Sequence, residues 1–155
     1  MYEEEMARYE DHHHLFARQH WPFYWLSQVV GRYQEQIEPR LKEMNLDVSR
    51  WRVLGTLGEG IRYSVSELAE QAIVKLPTMM KIVQRMQADG LLTLSPKETD
   101  GRVTEVMLTP AGLAAREAAL GLAMDMHERA FGQFSAEEVT QLNATLARIF
   151  TALKR

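Results

Sequence analysis

The sequence predicts a mainly α-helical chain that carries one small β-hairpin. Three observations support this: apolar residues recur at helical spacing along most of its length, two short helical patterns follow each other within about four residues, and one pair of alternating segments flanks a polar, turn-rich link.

The first helix is expected from about Pro22, a residue suited to a first turn, through Trp25, Val29 and Ile37 to near Asn45. Pro39 lacks the amide of an interior residue and is expected to kink or divide it. A second helix follows Asp47, with Val48, Trp51, Leu54 and Leu57 on one face and Gly58 and Gly60 stopping it. Ser64-Val65-Ser66-Glu67 is a capping box that opens a short helix buried through Leu68, Ala69 and Ala72. The next starts at Leu76-Pro77-Thr78, buries Met79, Ile82, Val83 and Met86, and closes at Gly90. Two short helices so closely joined make a helix-turn-helix.

Leu91–Leu94 and Val103–Leu108 read as strands, and the link from Ser95 to Arg102 reads as the turn of a β-hairpin wing. Thr109-Pro110 caps a helix expected to reach about Phe134 through Leu113, Leu120, Met124 and Phe131. A second capping box, Ser135-Ala136-Glu137-Glu138, opens the last helix, whose Val139, Leu142, Leu146, Ile149 and Leu153 follow the spacing of a helix–helix seam. Packing within one core would account for that seam. The excess of apolar faces at both termini favours a homodimer, with Trp25 joining the same contact.

The 155 residues have room for about one domain, and a balance of 46% hydrophobic and 25% charged residues is that of a globular protein. There is no Cys, which excludes disulfides, thiolate zinc sites, Cys nucleophiles and oxidant sensing through a thiol. Ala118–Met124, the longest apolar run, falls far short of the roughly 20 residues of a membrane span. The acidic start MYEEEMARYED is no signal peptide, so a cytoplasmic protein without a membrane partner is expected.

Residues 1–14 read as an acidic tail and 15–155 as a single winged-helix domain, with 15–45 and 111–155 expected as dimerisation helices and 47–109 as the lobe that would carry any DNA binding. The net charge is -3, concentrated in the tail, whose five acids meet one base and leave the body near neutral. Nucleic-acid binding therefore needs a local basic face. From Lys75 to Arg102, Lys75, Lys81, Arg85, Lys97 and Arg102 outnumber Asp89, Glu98 and Asp100. Pro77, Thr78, Lys81, Gln84 and Arg85 lie opposite the apolar stripe of their helix, free to meet a groove, and Ser64 stands at the start of the preceding helix.

No catalytic motif is found. Gly55–Gly60 lacks the Lys-Ser/Thr of a phosphate loop and follows a helix. The adjacent His12, His13 and His14 point different ways and form no facial zinc site, and no cofactor is expected. The aromatic run Trp21, Phe23, Tyr24 and Trp25 reads first as core or dimer contact. The alternative is an aromatic-ligand pocket of Trp21, Tyr24, Gln28 and Trp51.

The order of elements, the helix Leu76–Met86, Gly90-Leu91-Leu92, Asp100-Gly101-Arg102 and Leu108-Thr109-Pro110-Ala111-Gly112 resemble the MarR family of bacterial winged-helix regulators. The resemblance runs from about Pro22 to the C-terminus. It implies a homodimer with interlocked terminal helices, the Lys81 helix in the major groove of a pseudo-palindromic double-stranded operator, and Arg102 in the minor groove. Where the family often has arginine near the end of the first wing strand, this chain has Leu94 and Ser95, leaving Asp100 to pair with Arg102 or cap the turn. Peroxide-sensing members use a cysteine. Its absence here implies control by a small aromatic anion in a cleft between the dimerisation helices and the DNA-binding lobe.

The resulting expectation is a DNA-binding transcriptional regulator, a repressor released by ligand. The alternative is a winged-helix module that binds protein and never DNA, and an enzyme stands a distant third.

Overall fold

The computed structural model describes residues 18–154, so the acidic tail and His12–His14 lie outside the described residues. The chain divides into two compact units, Met1–Val48 and Ser49–Arg155.

In the first unit a 3-10 turn, Arg18–His20, precedes α1 (Pro22–Glu43). Helix α1 is not divided at Pro39, because one missing N–H removes only the bond to the Glu35 carbonyl, and the exposed ring leaves the helix intact. It ends where expected. Asn45 takes the left-handed conformation (φ 57°), and the Leu46 amide turns back to the Leu41 carbonyl at 2.9 Å.

The second unit holds nearly all of α2 (Val48–Thr56), then β1 (Tyr63–Ser64), α3 (Val65–Gln71), α4 (Leu76–Ala88), β2 (Leu92–Lys97), β3 (Asp100–Leu108), α5 (Pro110–Phe131) and α6 (Ala136–Leu153). The strands form one antiparallel sheet in the order β1-β3-β2, with Tyr63 opposite Val106 and Leu92 opposite Leu108. Val53, Leu54, Leu57, Leu68, Met79, Val83, Met86, Leu92 and Val106 are buried. The bottom of the hairpin and the apolar sides of the helix-turn-helix thus belong to the buried set.

Two expectations need correction, and one element lies outside them. The hairpin strands extend into the segment read as a turn, leaving only Glu98 and Thr99 between them. That outer arm is exposed, so no buried face imposes alternation on it, and Pro96 is tolerated because β2 is an edge strand. Helix α5 stops at Phe131 rather than Phe134 and buries Gly112, Ala119, Leu122 and Met126, while Met124 is exposed. Apolar residues run nearly all round α5, so periodicity selects no face. Strand β1 was not expected at all, since two residues carry no periodicity. Among the described residues, no helix is long and apolar enough to cross a membrane.

Candidate nucleic-acid interface

Helix α3 begins with both halves of its capping box: the Ser64 amide donates to Glu67 Oε2 at 2.7 Å, and the Glu67 amide donates to Ser64 Oγ at 3.2 Å. Those hydrogen bonds hold the Glu67 carboxyl below its ordinary range, the Ser64 backbone contributing most. Ser64 is half-buried and serves as the cap.

The turn after α3 is tight. The Val74 amide reaches the Ala69 carbonyl at 2.9 Å, and Ile73 sits at φ 56°, a left-handed conformation that a β-branched residue adopts only under strain. Ile73 is 83% exposed, so packing does not offset that strain. Ile73→Gly is accordingly expected to stabilise the fold by about 1 kcal/mol, the difference between relieved strain and the added entropy of glycine. A lower denaturant midpoint for this variant would contradict the assignment.

Helix α2 fixes both ends of the reading unit. Arg52 Nη1 donates to the Ala72 carbonyl at 3.4 Å, and the largely buried Arg50 pairs with Asp89 at 2.8 Å, just past the end of α4. Met79, Val83 and Met86 hold α4 down, which leaves Lys75, Pro77, Thr78, Lys81, Gln84 and Arg85 exposed on the other side. Lys75, Lys81 and Arg85 have no carboxylate partner among the described residues. Leu76 and Met80, which pattern reading did not single out, are exposed along the flank between that surface and the buried stripe.

At the wing, Arg102 Nε and Nη2 reach Asp100 Oδ1 and Oδ2 at 3.0 and 3.3 Å, and the Arg102 amide donates to Oδ1 at 3.1 Å. Asp100 therefore both pairs with Arg102 and caps the turn. The Arg102 side chain holds the Asp100 carboxyl below its ordinary range, with the backbone bond adding to the effect, so it stays ionised at neutral pH. The Arg102 side chain is 91% exposed, and Lys97 is exposed on the same arm.

The base of the wing is clamped to the end of α4. Thr109 donates its hydroxyl to the Gly90 carbonyl at 2.6 Å and its amide to the Leu91 carbonyl at 3.0 Å, and its Oγ1 accepts from the Gly112 amide at 3.0 Å. A Cβ on Gly112 would stand 2.1 Å from the Leu91 carbonyl oxygen. This gives Leu-Thr-Pro-Ala-Gly its physical meaning.

Trp21 and Tyr24 are half-buried and Gln28 exposed in the first unit, while Trp51 is half-buried in α2. Trp21 meets the Phe23 ring at 5.7 Å, and Tyr24 meets Trp25 edge-on at 5.1 Å. Helix α6 contains no buried residue: Val139, Leu146 and Ile149 are half-buried, and Leu142 and Leu153 are exposed, as is Trp25 in α1. An apolar groove lined by Phe131, Phe134, Val139 and Leu142 opens between α5 and α6.

The family model described as MarR family matches residues 44–103. The HTH-type transcriptional repressor IacR of Pseudomonas putida is 42% identical over 139 residues, covering 90% of this chain and 83% of that protein. The chain belongs to the MarR family. A MarR-family regulator from Silicibacter pomeroyi superposes with a TM-score of 0.82 at 23% identity, covering 89% of this chain and 93% of that one. NadR in complex with 4-hydroxyphenylacetate superposes with a TM-score of 0.74 at 23% identity, covering 80% of this chain and 88% of that one. As a MarR-family transcriptional regulator, the protein has α3 and α4 as its helix-turn-helix and β2–β3 as its wing, and the family model ends at Val103 within that wing.

Proposed function

We propose that the protein is a repressor that binds a pseudo-palindromic double-stranded operator as a homodimer and is released by a small aromatic anion. In this reading 47–109 is the DNA-binding lobe, 15–45 and 111–155 supply the dimer contacts, and the protein works in the cytoplasm. The observation that carries the DNA contact is the exposed face of α4, where Lys75, Lys81 and Arg85 have no carboxylate partner among the described residues. A local basic face of this kind attracts phosphates although the whole chain is acidic. Repression is supported by the relative named a transcriptional repressor, and an aromatic acid by the same fold holding 4-hydroxyphenylacetate. Trp21, Tyr24 and Gln28 of the first unit remain proposed aromatic-anion contacts, and Trp51 of the second is a separate candidate.

The roles of α4 and the wing separate in gel-shift titrations of wild type, Lys81→Ala and Arg102→Ala at several salt concentrations. Thr78 and Lys81 lie early in α4, so Lys81→Ala is expected to alter base preference at a cost of roughly 1–3 kcal/mol. Arg102→Ala is expected to weaken binding to many sequences and to flatten the salt dependence by about one phosphate equivalent, as loss of a minor-groove arginine would. Added 4-hydroxyphenylacetate is expected to lower operator affinity. Absence of salt-dependent binding would favour the protein-interaction alternative, and equal behaviour of the three proteins would refute the division of roles.

A further inference from the structure

The exposed face of α4 is not uniformly polar. Leu76 and Met80, four residues apart and so stacked on one side of the helix, are 44% and 49% exposed along its flank, between the buried stripe and the edge formed by Gln84 and Pro77. The cations around them favour a polyanion over an apolar protein surface. In the major groove of duplex DNA one base feature is apolar, the C5 methyl group of thymine. An apolar side chain pressed on any other base edge strips water from a donor or acceptor and gives it no partner, which costs free energy instead of gaining it.

We propose that Leu76 and Met80 are specificity-determining residues that read thymine methyl groups at two positions of each half-site. Lys81 and Thr78 then read polar edges, while the apolar pair rejects cytosine twice over, by the missing methyl and by the desolvated N4 amine. This inference rests on α4 meeting the major groove, as proposed above.

The test uses duplexes recovered by the full-length protein from a randomised library, resynthesised with each thymine replaced singly by deoxyuridine. That exchange removes the methyl and keeps the base pair. Wild type is expected to lose affinity about fourfold at each read position, the factor equivalent to about 0.8 kcal/mol for one buried carbon. Leu76→Ala should lose the sensitivity at one position and Met80→Ala at the other, with far-UV circular dichroism unchanged and uracil duplexes bound as by wild type. Indifference of the wild type to uracil at every position would overturn the proposal, as would sensitivity that survives in both variants. A library that yields no duplex would remove the DNA-binding reading and this one together, whereas uracil-indifferent binding removes only the methyl reading.

Discussion

Gly112→Ala is expected to destabilise the protein by on the order of 3 kcal/mol, because the new methyl would lie 2.1 Å from a backbone oxygen that other contacts hold in place. The Leu91 carbonyl already accepts the Thr109 amide, and the Gly112 amide is bound to the Thr109 hydroxyl, so relief requires breaking the clamp. For a chain of this length the loss corresponds to a fall in Tm of roughly 6–12 °C. Gly121→Ala is the matched control. Its Cβ would meet nothing within 4 Å inside the same helix, so helix propensity alone predicts a gain of up to about 1 kcal/mol. Thermal melts of the two variants should move in opposite directions, and a neutral Gly112→Ala would refute the steric account.

The second large effect is expected from Leu146→Glu. Helix α6 has an apolar stripe and no buried residue, which is the condition in which assembly supplies the missing cover. A carboxylate in that seam costs several kcal/mol when desolvated, enough to separate the proposed dimer at micromolar concentration. Because two linked half-sites gain a factor of about 100 or more over one, operator affinity should fall by at least that factor. Sedimentation of wild type and variant checks the first step and gel-shift titration the second. A wild type that sediments as a monomer at micromolar concentration would overturn both the dimer and the palindrome.

Local chemistry was the most legible part of this chain. Both capping boxes lie where Ser64 and Ser135 announce them, since a cap is a contact between residues three apart and needs no tertiary context. The sequence left Asp100 either to pair with Arg102 or to cap the turn, and it does both, again through contacts between near neighbours in the chain. Features set by distant neighbours were not. The burial of Ala119, Leu122 and Met126 depends on what packs against α5, and β1 exists because β3 offers an edge to two residues. Gly112 stands in the motif that carries the family resemblance, yet only the approach of Leu91 explains it. Leu76 and Met80 carried no signal of their own in the sequence, and only their exposure marks them.

The clamp at Gly90, Leu91, Thr109 and Gly112 also determines how motion travels through the second unit. The end of α4, the root of the wing and the first turn of α5 meet there, with each connection tied by a hydrogen bond or a close contact. Helix α5 has 22 residues and is about 33 Å long, which makes it a lever arm rooted in the reading head. A shift of about 3 Å at its far end is equivalent to a rotation of about 5° at its base, by the geometry of a rod of that length. The contacts through which such a rotation would act on α4 and the wing are the three hydrogen bonds of Thr109 to Gly90, Leu91 and Gly112 and the close approach of Gly112 to Leu91.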